Sequence, residues 1–178
     1  GDSVINTKDK TVAITVGGNN NAVTLEGNAI VNGEMKSTGK NTLNLNGTAE
    51  DGMNMLHNID GFVNMNIDNS VTFFEDVKIT GTDTITVKET GVLNLRLKKK
   101  DTVTYGKTVV PEATHSFSGT NGMLIKGNSP TEAGTLNFLT NGIGREILVD
   151  MKNIALVNMD IRASSIIDKA TIGKDYIH

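Results

Sequence analysis

The sequence has no cysteine and no tryptophan, only 2 proline residues, and 4% aromatic residues in a chain of 178. Without cysteine the chain can form neither a disulfide framework nor a thiolate metal site, and it offers no cysteine nucleophile. The shortage of aromatic rings removes the large side chains that normally fill the core of a two-layer domain. The composition therefore argues against a disulfide scaffold and against an ordinary two-layer core.

An excess of charge of one sign and long apolar runs are also missing. The chain carries 17 Lys+Arg and 20 Asp+Glu, for a net charge of -3, whereas a nucleic-acid binder usually has a concentrated basic face. No stretch approaches the roughly 20 apolar residues of a membrane helix, and the first residues lack the pattern of a signal peptide. We therefore expect no nucleic-acid partner and no membrane contact by this segment itself. The lack of cysteine also fits a protein that is exported unfolded.

Asparagine, threonine and glycine are abundant instead, with 21, 22 and 19 residues. Helical periodicity is scarce, whereas short runs of Val, Ile, Thr and Leu bounded by Gly, Asn and Asp recur along the whole chain, which is typical of strands and turns. The sequence therefore predicts an all-β protein. Clear examples of such runs are Thr11–Val16, Thr42–Asn46, Phe62–Ile67, Val92–Leu97 and Leu156–Ile161.

A short apolar-polar-apolar triad repeats with a nearly constant spacing. The triads begin at Val23, Leu43, Val63, Ile85, Val103, Met123 and Ile147. A period of about 20–22 residues, with two or three short strands in each repeat, predicts a parallel β-helix whose turns stack at about 4.8 Å. We expect a right-handed solenoid of about eight rungs, roughly 40 Å long.

The same fold accounts for the unusual composition. Val, Ile, Leu and Met would fill a narrow core, into which few aromatic rings fit. Asn and Gly tolerate the left-handed backbone of tight turns, and stacked Asn side chains can hydrogen-bond from one rung to the next.

Two segments depart from the period and predict loop insertions, near residues 106–114 and 127–134. Lys98–Asp101 has the character of a charged corner. We find no linker, so residues 1–178 are interpreted as a single β-helix segment.

Three segments carry a resemblance to a known family. Leu43–Gly47, Gly91–Leu95 and Gly134–Phe138 read LNLNG, GVLNL and GTLNF, and they resemble passenger repeats of type V autotransporters, which are surface proteins of Gram-negative bacteria. The resemblance implies a right-handed β-helix that is displayed outside the cell through a C-terminal membrane barrel. Since the sequence shows neither a signal peptide nor a barrel, the resemblance implies that residues 1–178 are a passenger fragment of a larger exported protein. Passengers of this family include adhesins, toxins and proteases. Two-partner secreted adhesins and phage tailspikes share this style of rung.

Several polar residues are candidates for a metal or catalytic site, but each also has a purely structural interpretation. Asn64, Asn66 and Asp68 alternate like the first ligands of a calcium loop, but the central Gly and terminal Glu of such a loop are missing, so we expect them on one exposed strand face. The histidines, His57, His115 and His178, are far apart, and Ser116 or Ser118 beside His115 lacks a nucleophile elbow.

Basic and glycine-rich positions are interpreted in the same way. Arg96 could lie beside Lys78 or Glu75 on the next rung, as a surface ion pair, and the other arginines are Arg145 and Arg162. Lys98–Lys100 is interpreted as a solvated turn, and Gly142–Glu146 as a turn without phosphate-loop spacing. We therefore assign no catalytic, cofactor or metal residue, expect no cofactor, and leave the binding residues open.

Two classes of function follow. The first is a non-enzymatic stalk or adhesive module of a surface passenger, which attaches to a protein or glycan of host or bacterial cells, at the cell surface or outside it. End-to-end self-association through exposed strand edges is a further expectation. The alternative is a fragment of a β-helical carbohydrate-active enzyme, a lyase or depolymerase. Few aromatic residues count against it, because sugars commonly stack on Trp and Tyr and only Tyr105 and Tyr176 are available. A toxin passenger segment is a third option.

Overall fold

The structure of the protein is a computed structural model. It describes residues 4–6, 12–48, 52–105, 108–117, 122–140, 142–143, 147–151, 153–163, 170–172 and 175–177. Within these ranges the regular structure is all strand, which confirms the predicted fold class.

The strands are short and follow one another closely. Up to the middle of the chain they are β1 (Val4–Asn6), β2 (Val12–Val16), β3 (Ala22–Glu26), β4 (Ile30–Asn32), β5 (Glu34–Ser37), β6 (Thr42–Asn46), β7 (Met53–Met55), β8 (Ile59–Asp60), β9 (Asn64–Asp68), β10 (Ser70–Phe73) and β11 (Ile79–Thr80). They continue with β12 (Thr84–Val87), β13 (Val92–Arg96), β14 (Lys98–Tyr105), β15 (Thr108–Thr114), β16 (Met123–Lys126), β17 (Gly134–Leu139), β18 (Leu148–Asp150), β19 (Ile154–Val157), β20 (Met159–Ala163), β21 (Ala170–Ile172) and β22 (Asp175–Ile177).

Each turn of the regular part of the chain contributes one strand to each of three faces. The six-stranded sheet contains β3, β6, β9, β12, β16 and β19, the five-stranded parallel sheet contains β7, β10, β13, β17 and β20, and the four-stranded sheet contains β2, β5, β8 and β11. Strand β1 pairs with β4. All neighbours in these sheets are parallel, so the protein is a β-solenoid.

The solenoid has about six turns, and the expected eight rungs were too many. In the six-stranded sheet Val23, Leu43, Met65, Ile85, Ile125 and Leu156 stand one above another. The last two steps of this column are longer than the first three, because β14 and β15 form a hairpin and longer connections follow. At about 4.8 Å per strand, six strands span about 24 Å, which is shorter than expected.

The fifth sheet, called the hairpin sheet below, contains segments that the sequence pattern had predicted as rungs or as a loop of the solenoid. It contains β14, β15, β18, β21 and β22, with antiparallel pairing of β14 with β15 and of β21 with β22. The triad at Val103 lies in β14, and the triad that begins at Ile147 continues into β18, so neither is a rung of the six-stranded sheet. Residues 108–114 of the segment predicted as a loop form β15, which pairs in parallel with β18. The other predicted loop, residues 127–134, is confirmed except for its last residue: residues 127–133 connect β16 to β17 through a turn at Pro130 and Thr131, and Gly134 begins β17.

Side chains alternate between the core and the outside along each strand. Leu43 and Leu45 of β6 are fully buried, as are Met65 and Ile67 of β9, whereas the residues between them face outward. The core also holds more aromatic side chains than the sequence led us to expect: four of the five Phe are fully buried. These are Phe62, Phe73, Phe117 and Phe138.

Stacking of turns leaves no room for side chains at some corners. Gly61 has a φ of 88°, and a Cβ on it would lie 2.0 Å from the carbonyl oxygen of Ser37 on the preceding turn. Only glycine combines this left-handed backbone with so close an approach. Asparagine fills other left-handed positions, at Asn20, Asn69, Asn153 and Asn158. The predicted role of Gly and Asn at turns is confirmed.

Candidate functional site

The outward face of the six-stranded sheet carries a ladder of hydrogen-bonded polar side chains. Thr24, Asn44 and Asn66 occupy the same register position on β3, β6 and β9. Asn66 Nδ2 donates to Asn44 Oδ1 at 2.9 Å, and Asn44 Nδ2 donates to Thr24 Oγ1 at 3.2 Å. Because each amide is held by the turn below, the ladder fixes the orientation of the side chains.

A second column of polar side chains runs beside the ladder, two residues further along each strand. Asn46 on β6 lies below Asp68 on β9. Asn46 Oδ1 accepts from Asn69 Nδ2 at 2.9 Å. One oxygen of Asp68, Oδ1, accepts from the backbone N–H of Asn69 at 2.9 Å and from the hydroxyl of Thr90.

The two columns border a depression on the surface of the solenoid. Its volume is about 220 Å³. Sequence reasoning did not find it, although the recurrence of Thr and Asn at one position of each repeat was the signal that could have led to it. The depression is lined by Thr24, Asn44, Leu45, Asn46, Asn66, Asp68 and Lys88.

The structure places the calcium-like residues where the sequence predicted, on one outward face. Asn64, Asn66 and Asp68 alternate with the buried Met65 and Ile67 along β9. Asn66 and Asp68 make the hydrogen bonds of the two columns. Across the described ranges, no three His, Cys, Asp or Glu residues form a group that could hold a metal ion.

His115 is a buried structural residue, 1% exposed. Its Nε2 lies 2.7 Å from the carbonyl oxygen of Phe74, and its Nδ1 lies 3.2 Å from the backbone nitrogen of Phe117. The nitrogen of Phe117 can only donate, so Nδ1 accepts and Nε2 carries the proton. Desolvation by burial lowers the pKa of His115 to about 4, against the partial opposing effect of the carbonyls of Phe74 and Phe73.

The serine next to His115 does not form a nucleophile pair with it. Ser116 Oγ donates to the carbonyl oxygen of Glu75 at 2.9 Å and lies 3.1 Å from Lys98 Nζ. His57 is exposed. His178 and Ser118 lie outside the described residues.

Arg96 lies beside Glu75, which was one of its two expected neighbours. Arg96 Nε is 3.2 Å from Glu75 Oε2, close enough for an ion pair, although the angle is too poor for a hydrogen bond. The guanidinium carbon also lies 4.2 Å from the ring centroid of Phe74, in cation–π contact. The arrangement anchors Arg96 on the surface. Arg162 pairs with Asp160 at 2.8 Å, and Arg145 lies outside the described residues.

The lysine run forms the start of strand β14, so its interpretation as a turn was wrong. Lys98 Nζ is 3.3 Å from Asp76, and Lys100 Nζ is 2.8 Å from Asp150 and 3.7 Å from Glu112. Sequence reasoning missed these ion pairs, because Lys100 and Asp150 are 50 residues apart and meet only through the pairing of β15 with β18. In Gly142–Glu146, Gly142 occupies a turn with a φ of 78°, and residues 144–146 lie outside the described ranges.

Comparisons with known proteins found no match, so the class of this protein is defined by its fold alone. No family model, no curated protein and no solved structure matches the chain. Among the described residues, no helix is long and apolar enough to cross a membrane. The structure thus defines a parallel β-solenoid with a polar, hydrogen-bonded outer face.

Proposed function

We propose that this chain is a non-enzymatic segment of a bacterial surface passenger protein, at the cell surface or outside the cell. It acts as a stalk or adhesive module in attachment to host or other cells. Its partner is a surface protein or a glycan.

The observation that carries this proposal is the side-chain ladder on the six-stranded sheet. In a solenoid each turn contacts only its neighbours, so length and stiffness come from the bonds between successive turns. Here the backbone bonds of the sheet are reinforced by Asn66 to Asn44 and by Asn44 to Thr24 on the outside. The five-stranded parallel sheet repeats the device, since Asn137 donates to Asn94 and Asn94 to Ser70, each at 2.9 Å. Such a rod supports a stalk, and its flat polar faces support adhesion.

Binding to cells is the direct test. Fluorescently labelled chain is titrated onto cultured epithelial cells and onto intact Gram-negative bacteria, and unlabelled chain is added as competitor. We expect saturable binding that the competitor displaces. Binding that does not saturate on either cell type would remove the adhesive role, and only the role of a stalk would be left.

The carbohydrate-active alternative is tested in parallel. The chain is incubated with neutral and anionic polysaccharides, and new chain ends are measured. Products that form with the chain and disappear with Arg96→Gln would replace the proposal with an enzymatic function.

A further inference from the structure

We infer that the depression on the six-stranded sheet binds a neutral glycan through the hydroxyl groups of its sugars. The inference rests on the proposed adhesive function, and it names the site and the chemical class of the partner. It starts from the polar atoms that line the depression and from their hydrogen bonds.

Three half-buried side chains at the depression use only part of their hydrogen-bonding capacity within the described structure. Asn66 bonds to the ladder through Nδ2, which leaves Oδ1 as an acceptor. Asn46 bonds to Asn69 through Oδ1, which leaves the two N–H donors of Nδ2. Asp68 bonds to Asn69 and Thr90 through Oδ1, which leaves Oδ2. Donors and acceptors thus alternate over a small area.

This alternation matches the chemistry of a sugar. Each hydroxyl group is one donor and two acceptors, so adjacent hydroxyls on a ring are satisfied by a carboxylate that accepts and an amide that donates. Hydrogen bonds to a charged group are about twice as strong as neutral ones, which makes Asp68 the expected anchor. The existing bonds to neighbouring turns already hold these side chains, so less entropy is lost when a ligand binds.

The charge and the position of the depression favour a neutral glycan over an anionic one. Asp68 and the exposed Lys88 are the two charged residues that line the depression, so its formal charge is zero, which suits a neutral ligand better than one with several sulfate or carboxylate groups. The ladder beside the depression repeats at the strand spacing, about 4.8 Å. An extended glycan that lies along the solenoid axis can therefore contact several turns, and weak contacts add up along it.

The test is a titration followed by NMR of the full chain labelled with ¹⁵N. The probes are hexasaccharides of β-linked glucose and of mannose, with a sulfated hexasaccharide as the anionic probe. We expect saturable shifts of the side-chain amides of Asn46 and Asn66 and of the backbone of β9 with a neutral probe. Asp68→Asn should weaken this binding about tenfold, since it removes a charged hydrogen-bond acceptor.

Asp60→Asn is the matched control. Asp60 accepts from the hydroxyl of Thr80 on the next turn at 2.6 Å, much as Asp68 accepts from Thr90, but it lies in the four-stranded sheet. We expect this variant to keep the affinity of the unmodified chain. Thermal unfolding of both variants, followed by circular dichroism, checks that each is folded.

Three results would overturn the inference: no shifts with the neutral probes, equal binding by Asp68→Asn, or tighter binding of the sulfated probe. Failure here is distinguishable from failure of the proposed function. Saturable binding to cells without oligosaccharide shifts would remove the glycan site and keep adhesion. Oligosaccharide binding at β9 without binding to cells would keep the site and remove the adhesive role.

Discussion

Between β3 and β12 the turns of the six-stranded sheet follow one another at a nearly constant interval, whereas the chain segments from β12 to β16 and from β16 to β19 are longer. The regular part repeats outward Thr and Asn at one register position. The irregular part contains the β14–β15 hairpin. Buried Phe117 and His115 and the ion pair of Lys98 with Asp76 hold the hairpin to the regular part, and Lys100 pairs with Asp150 on β18 within the hairpin sheet. One architecture is therefore held by two kinds of interaction. Side-chain ladders join successive turns, and the ladder on the five-stranded parallel sheet continues past the hairpin to Asn137, whereas the hairpin itself depends on individual contacts.

The largest loss of stability should come from removing the buried ring of Phe117, which holds the hairpin of the irregular part. Phe117 is fully buried, and its ring centroid lies 5.2 Å from that of Phe73 and 4.3 Å from that of His115. We expect Phe117→Ala to lower the free energy of unfolding by about 3–5 kcal/mol, measured by urea denaturation. Val109→Ala, at a side chain that is 65% exposed on β15, should change it by less than about 0.5 kcal/mol. Equal losses in the two variants would show that the hairpin is not anchored through Phe117.

Acid should lower the free energy of unfolding through His115, which packs against Phe117. Burial lowers its pKa to about 4, from an ordinary value of 6.5, so the unfolded chain takes up a proton before the folded chain does. The free energy of unfolding should therefore fall as the pH drops from 6.5 to 4, by about 3 kcal/mol in full, with no contribution from His115 above this window.

Urea denaturation at a series of pH values separates this effect from the titration of carboxylates. His115→Gln should flatten the pH dependence between 6.5 and 4, whereas His57→Gln, at an exposed position, should leave it unchanged. An unchanged slope in His115→Gln would mean that His115 is not the acid-sensitive group.

A smaller effect is expected from breaking the ladder of the regular part. Asn66→Ala removes the bond to Asn44 and should cost about 1 kcal/mol, measured by thermal or urea unfolding. Asn64→Ala is the control on the same strand, since Asn64 is exposed and makes no side-chain hydrogen bond within the described residues. If both variants lose the same stability, the ladder contributes nothing beyond the backbone bonds of the sheet.

The smallest effect should follow from the ion pairs of β14. Lys100 is 44% exposed and contacts Asp150 at 2.8 Å, and pairs near the surface contribute about 0–1 kcal/mol. We expect Lys100→Ala to lose less than about 1 kcal/mol, and the loss to shrink in high salt because salt screens exposed charges. Lys99→Ala, at an exposed neighbour, should have no measurable effect. A loss that persists in high salt would indicate packing of the lysine chain rather than charge.

The sequence predicted the regular part better than the irregular part. Leu43 and Ile85 were placed correctly as stacked positions, because each lies one turn after a residue of the same register position, Val23 and Met65 respectively. For the third turn the sequence predicted Val63 as the stacked position, whereas Met65 pairs with Leu43. The prediction was two residues early, because alternating apolar residues allow a shift by two without changing the face of the strand.

The sequence did not predict the β14–β15 hairpin, because the alternating pattern of its strands is the same as that of a rung. Val103–Tyr105 alternates like any rung, and nothing within this triad tells whether the next strand returns beside it or continues the coil. Pairing of β14 with β15 is antiparallel, and two strands that are close in sequence can close such a pair with a short connection. The depression at Asp68 escaped for a related reason, since it needs three turns to be stacked before it exists.

By itself the sequence determined that side chains alternate between core and surface along short strands, where Gly and Asn permit turns, and that the chain coils with a short and nearly constant period, because these follow from alternation and backbone preferences of neighbouring residues. Only the tertiary structure decided the number of turns, the pairing of β15 with β18, and the meetings of Lys100 with Asp150 and of Arg96 with Glu75. These depend on the register of strands that are distant in sequence. That register is set by the closure of the whole core rather than by any one segment.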